Sequence, residues 1–296
     1  MSKRRFGDRK DGIRVRKIDS MFVLIPQVMR TRLDSQVQFE EEIALDAMEK
    51  FIREHKEDMP SLTTMHIVAA ALVRMMALRP CVNRFVVHNK LYAHTDIRIS
   101  IAVKRGITEE SEEATIKPLF KPTDTIYDVV RSMDAEMAAI EGEGSENDTD
   151  VAARILGKLP TWLLRFVVRL IFFMDNHGCL PKFLTDLSPW HTSAWITNVG
   201  SIGLSPVYHH LYEFGTASFF LSMGKKRNMP ASDFTGEIQT KRKIGIRAVV
   251  DERVCDGYYY ATALRSFTKY LTHPELLMEP PKEVKRDPGV DWSRYE

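Results

Sequence analysis

Residues 243–257, KIGIRAVVDERVCDG, carry an alternating apolar stretch into three adjacent charges, a cysteine and an Asp-Gly pair. Asp251, Glu252 and Arg253 stand where the alternation stops, and Asp256-Gly257 supplies the residue types of a sharp reversal. Charged side chains held at the mouth of a strand by a rigid scaffold are well placed for catalysis. Cys255 sits among them, but no neighbouring histidine in the sequence activates it, so it reads as a packed turn residue. Gly200-Ser201-Ile202-Gly203 is too short to cradle a phosphate. The three cysteines, Cys81, Cys179 and Cys255, are far apart and form no CxxC pair, which argues against a disulfide framework or a metal cluster and for a reducing cytoplasm.

The elements that must hold these residues follow from periodicity. Ile244, Ile246, Ala248 and Val250 alternate with Gly245, Arg247 and Val249, the pattern of a strand with one buried face, and residues 258–271 continue as a helix. Upstream, strands are predicted at 37–43, 84–87, 91–94, 97–106, 115–120, 193–199 and 217–223, with His88-Asn89-Lys90 as a hairpin turn. Helices are predicted at 27–33, 46–55, 65–78, 125–137 and 160–175. The 65–78 helix is apolar on nearly every face and is expected to be buried. In the 160–175 helix, Arg165 and Arg169 share one narrow stripe, which predicts a buried helix or a subunit contact with the arginines reaching outward. A membrane-surface helix or an acyl-chain-binding wall is the lesser alternative, so membrane contact is not the expectation.

An apolar fraction of 44% over 296 residues allows a large core, and a net charge of +2 with acids and bases intermixed makes no case for nucleic acid. The apolar run at 21–29 contains Pro26 and leads into Arg30-Thr31-Arg32, so it is no signal peptide, and the run at 159–173 is too short and too charged to span a bilayer. Residues 1–12 are expected to be a flexible basic arm, 13–277 one domain with a helical insertion at about 151–190, and 278–296 an extended tail. Strands and helices alternate without repeats, which predicts an α+β, two-layer architecture: a mixed β-sheet covered by helices.

The Asp251–Gly257 segment resembles the Asp-His-Arg-Val-x-Asp-Gly motif of the catalytic domain of the 2-oxoacid dehydrogenase acyltransferases, which share their fold with chloramphenicol acetyltransferase. Further patches resemble that family in the family's order: 62–85 with Pro80 and Asn83, 97–103, 115–119, 124–140, then Ile196-Thr197-Asn198-Val199-Gly200, and 270–277. The stretch at 159–189 looks like an insertion, and the lipoyl and subunit-binding modules of the multienzyme complexes have no room before Ile13, which suggests a stand-alone relative.

The resemblance implies a chloramphenicol acetyltransferase-like fold and transfer of an acyl group from a coenzyme A or similar thioester to a thiol or hydroxyl. It implies acyl-CoA as co-substrate, no covalently bound cofactor, and a homotrimer or an oligomer of trimers with sites at subunit boundaries. In the family a histidine takes the acceptor's proton and a hydroxyl donor stabilises the oxyanion. Carried over, Glu252 stands in the base's place, Thr197 in the hydroxyl's, with Asn198 beside it. Asp256 would hold the turn by pairing with an arginine, Arg14 by its spacing, or else Arg30 or Arg32. Glutamate for histidine leaves three routes. Burial raises the Glu252 pKa so that it acts as base; or His191, His209 or His210 enters the site; or the protein is a catalytically inactive oligomer with a binding or structural role.

Overall fold

Strand β10 (Ile238–Asp251) is the spine of the molecule, and it ends where the charged turn begins. The computed structural model describes residues 4–104, 113–140, 151, 154, 156–232 and 235–295. The expected end of a strand at 105–106 and the acidic loop at 141–150 lie outside them. In chain order the strands are β1 (Gly12–Arg14), β2 (Gln36–Ala44), β3 (Arg84–Val87), β4 (Lys90–His94), β5 (Ile97–Lys104), β6 (Glu113–Ile116), β7 (Leu119–Phe120), β8 (Ala194–Asn198), β9 (Phe219–Ser232) and β10. The helices are α1 (Ser20–Val28), α2 (Asp46–Glu54), α3 (Thr64–Leu78), α4 (Ile126–Ile140), α5 (Thr161–Asn176), α6 (Lys182–Leu187) and α7 (Gly257–Thr272).

The main sheet runs β2-β10-β9-β8-β5-β6, with β7 also paired to β5. Its pairs are antiparallel except β5–β8 and β8–β9, which are parallel, so the sheet is mixed. A smaller sheet, β1-β4-β3, holds the hairpin turned by His88 and Asn89, both in the left-handed region. The inner face of the main sheet carries Ile43, Ile99, Ile101, Ile196, Leu221, Ile246, Ala248 and Val250 into one core with α3, α4 and α7. Thirteen of the fifteen α3 residues are buried, as its all-round apolar pattern requires. This is the α+β, helix-covered mixed sheet that the sequence pattern predicts.

The outer face is organised differently. Trp195, Phe220 and Val249 form a small second cluster with Leu211 and Ala217, under a loop rather than helices. That loop rides close to the strands: a Cβ on Gly224 would lie 2.2 Å from the Pro206 Cδ. Glycine there lets residues 204–217 lie flat across β9 and β10.

Several elements differ from their sequence pattern. Helix α1 starts at Ser20, with the Asp19 carboxylate accepting the Met21 N–H at 2.8 Å, and Pro26 falls inside its last turn instead of opening it. Strands β9 and β10 pair through Ser232 and Ile238, well beyond the apolar segments, because the main chain alone zips the charged arm. The 115–120 strand is split by Lys117-Pro118 into β6 and β7. Helix α5 is not buried within the chain: among its described residues only Asp175 is. The ends of the chain are also tied down. Arg9 is 4% exposed, and Asp287 and Val290 are buried. Among the described residues, no helix is long and apolar enough to cross a membrane.

Candidate active site

The turn that follows β10 is built from buried charge. Asp251 is fully buried and receives Arg253 at 2.8 and 2.7 Å, one guanidinium nitrogen per carboxylate oxygen. The Ser35 hydroxyl donates to the same carboxylate at 3.1 Å, and the Tyr260 hydroxyl donates to the Asp251 carbonyl at 2.8 Å. Arg253 also donates to the Met29 carbonyl, which ties the turn to the segment after α1. From below, Arg84 donates to the Val254 carbonyl at 3.1 Å. A buried pair whose donors and acceptors are satisfied on every side holds one geometry.

Asp256, expected to pair with Arg14, does something else. It is exposed and caps α7, its carboxylate accepting the Tyr259 N–H at 2.8 Å. Among the described residues no ion pair joins it to Arg14, which belongs to β1, nor to Arg30 or Arg32. Arg32 is 2% exposed, and its guanidinium gathers the carbonyls of Tyr212, Glu213, Gly215 and Val86. The turn is therefore held by Asp251 with Arg253, not by Asp256 with Arg14. A cap and a turn clamp call for the same residue types, so the motif alone does not separate them.

Cys255 is 3% exposed, and burial pushes its thiol far above the usual range, so it stays protonated and packed. Glu252 is half-buried; its N–H is held by the Ser35 carbonyl, and its carboxylate has no hydrogen-bond or ion-pair partner among the described residues. Thr197 and Asn198, at the end of β8, are likewise half-buried, with side chains free of hydrogen bonds among the described residues. Thr197 lies on the outer face, level with Ser222 of β9, which is level with Arg247 of β10. Glu252 is five residues beyond Arg247, ~16 Å further along the strand direction and two strands, ~10 Å, to the side. One chain does not bring Glu252 and Thr197 together.

The histidines divide sharply. His191 is 4% exposed and uses both ring nitrogens, Nδ1 on the Ser188 hydroxyl at 2.8 Å and Nε2 on Asp175 at 3.2 Å. Asp11, Asp175 and His191 converge closely enough to suggest metal ligands, but the Arg9 guanidinium already fills the space between the two carboxylates. His210 is exposed. His209 stacks flat on Phe220, ring centroids 4.1 Å apart, and its Nδ1 meets the His210 carbonyl at 2.8 Å. A carbonyl only accepts, so Nδ1 carries the proton and the neutral ring keeps its Nε2 lone pair free. Burial of the ring holds its pKa below the ordinary 6.5. Phe220 is level with Trp195 and Val249, which places His209 over the same outer face as Thr197, two residues short of the Thr197–Ser222 row. The only mark of this in the sequence is a His-His pair between two strands.

Compared with known proteins, residues 191–279 match the family model of the 2-oxoacid dehydrogenases acyltransferase (catalytic domain). These residues include Thr197, His209 and the Asp251–Gly257 turn. Solved structures share the fold over most of the chain. A probable dihydrolipoamide acetyltransferase from Listeria monocytogenes is similar at a TM-score of 0.54 and 14% identity, over 86% of this chain and 92% of that one. A dihydrolipoamide acetyltransferase of Azotobacter vinelandii is similar at 0.52 and 14%, over 87% and 90%. A chloramphenicol acetyltransferase is similar at 0.53 and 11%, over 86% and 99%. Among the curated proteins compared, none matches. The fold is thus that of the chloramphenicol acetyltransferase-like acyltransferases, and the matched third of the chain is the part that carries the candidate site.

Proposed function

We propose that this protein transfers an acyl group from a coenzyme A or similar thioester to a thiol or hydroxyl acceptor, at a site shared between two copies of the chain. The observation that carries this reading is the position of Thr197 and Glu252. Both are half-buried, both have side chains free of partners among the described residues, and both occupy the places that the family motif reserves for chemistry, yet one chain holds them far apart. A second copy supplying one to the other completes the constellation. Among the similar structures, one is the cubic core of a pyruvate dehydrogenase multienzyme complex, an assembly of many copies. In the Azotobacter protein, roles in the catalytic mechanism were investigated for a serine, a histidine and an asparagine.

In this mechanism a base takes the acceptor's proton as the acceptor attacks the thioester carbonyl, the Thr197 hydroxyl donates to the oxygen that becomes negative, and collapse of that oxyanion breaks the C–S bond, the base returning its proton to the departing thiolate. Glu252 stands at the family's base position. A second assignment of the base, His209, is favoured by a specific observation: its Nε2 is a free acceptor, and burial keeps the ring neutral at physiological pH. Three free cysteines support a cytoplasmic place for this activity.

Thiol release measured over a panel of acyl-CoA donors with thiol and hydroxyl acceptors tests the reading. Wild-type release is expected, with Thr197→Ala lowering it about 100-fold, the usual loss for one oxyanion donor. A drop in Glu252→Gln with His209→Asn unaffected assigns the base to Glu252, and the reverse assigns it to His209. Absence of release with every pair, together with tight acyl-CoA binding, would replace catalysis by the binding role.

A further inference from the structure

Helix α5 presents its side chains outward. Trp162 is 71% exposed, Phe166 61%, Leu170 45% and Phe173 60%, and Phe183 at the start of α6 is 67% exposed. At ~100° per residue, Trp162, Phe166, Leu170 and Phe173 fall within about 80° of one another and make a single stripe. Arg165 and Arg169 line one edge of that stripe, both exposed and without a carboxylate partner among the described residues. The whole stretch 151–174 contains Arg154, Lys158, Arg165 and Arg169 and no aspartate or glutamate.

A helix that fails to bury its apolar face within its own chain needs a medium or a partner that takes that face. The charge pattern decides which. A second copy meeting this patch through itself would bring Arg165 and Arg169 of one chain against those of the other, with no acid in the segment to separate them. An anionic bilayer supplies both requirements at once, an apolar interior for the aromatic stripe and phosphates for its edge. The helix has 16 residues, ~24 Å at the ordinary rise, so it lies in the surface rather than crossing it.

We propose that α5 docks this protein onto an anionic lipid surface, with its axis in the plane of the membrane, Trp162, Phe166, Leu170 and Phe173 below the headgroups, and Arg165 and Arg169 on the phosphates. Docking of this kind is independent of the acyl-transfer reading. It brings the protein to lipid without requiring that lipid be its substrate.

The test is co-sedimentation of the full chain with phosphatidylcholine vesicles, with and without phosphatidylserine, alongside sedimentation-velocity measurement of its oligomeric state. Binding is expected only to the anionic vesicles. It should weaken about tenfold or more in Arg165→Glu/Arg169→Glu and in Trp162→Ser/Phe166→Ser, and persist in Arg165→Lys/Arg169→Lys, with unchanged far-UV circular dichroism in all three. Failure of the wild type to bind anionic vesicles overturns the proposal, as does equal binding to both vesicle types or binding indifferent to the substitutions. Dissociation of an oligomer by the same substitutions, with no vesicle binding by the wild type, assigns the face to contact between copies instead.

Discussion

Asp175 joins Arg9, near the start of the chain, to helix α5, and its titration should be visible in stability. Burial by itself would raise its pKa, but the hydrogen bond from His191 and the charge of Arg9 outweigh it and bring it from 3.8 to about 2. A carboxyl depressed in the folded state binds protons more tightly in the unfolded chain, so its contribution is complete above about pH 4 and is lost as pH falls towards 2. That loss amounts to roughly 2 kcal/mol at this shift. Asp175→Asn should therefore flatten the acid limb between pH 4 and 2. It should also lower stability near pH 7 by only about 2 kcal/mol, the interaction that the shift reports, since Arg9 keeps the Asp11 carboxylate at 2.8 and 2.9 Å. Urea melts at stepped pH read both effects, and an acid limb identical to wild type would show that Asp175 does not titrate there. At this scale the sequence makes some positions readable and hides others. Thr197 lies near the end of β8 and Glu252 just past the end of β10, as the strand alternation predicts. The sequence does not separate clamp from cap, because Asp251 and Asp256 lie two and three residues from the same Arg253, and only the fold decides which one is buried. His209 was one of three histidines with equal standing, because stacking on Phe220 is a tertiary fact with no sequence period.

The elements nearest the site are coupled to the end of the chain. Asp287 meets Arg84 through two nitrogens at 2.6 and 2.7 Å, both residues buried, while the third Arg84 nitrogen holds the Val254 carbonyl in the candidate turn. The tail is thus a strap with a buried anchor, and its polar composition concealed this: a tail of prolines and charges has no apolar period to betray a single buried aspartate. Asp287→Ala leaves an uncompensated guanidinium inside the protein and should cost about 3–5 kcal/mol, read as a fall in the urea midpoint at unchanged m-value. Arg84→Met/Asp287→Leu, which removes both charges, should recover most of that loss; if the double variant is as unstable as the single one, the pair is not the source. The same limit of pattern reading explains α5. Apolar residues spaced along a helix announce that a face must leave water, but they do not distinguish the interior of the chain from a surface elsewhere. By contrast α3, the hairpin at His88-Asn89 and the inner face of β10 were legible, because burial on every side, left-handed turn residues and strict alternation each have one structural solution.

At the scale of the molecule, the separation of Thr197 from Glu252 becomes a statement about assembly. If each site takes Thr197 from one copy and Glu252 from its neighbour, an oligomer made only of Thr197→Ala chains has no complete site, and neither does one made only of Glu252→Gln chains. Mixed oligomers differ. At a boundary between two randomly chosen chains, the hydroxyl side is intact half the time and the carboxylate side half the time, so about one boundary in four is complete in an equimolar mixture. Coexpressing the two variants should therefore restore about a quarter of wild-type thiol release in the unselected population, while mixing the separately purified variants without subunit exchange should restore none. A site contained in a single chain predicts no recovery in either case, since every chain in the mixture carries one defect. Recovery is also specific to the pair chosen. If His209 is the base and lies on the same chain as Thr197, as its position on the outer face of that chain's sheet requires, then Thr197→Ala with His209→Asn tests a different geometry from Thr197→Ala with Glu252→Gln. Complementation by the second pair together with loss of activity in Glu252→Gln would place the proton-accepting carboxylate across the boundary from the oxyanion donor, the arrangement that the ~16 Å offset within one chain demands.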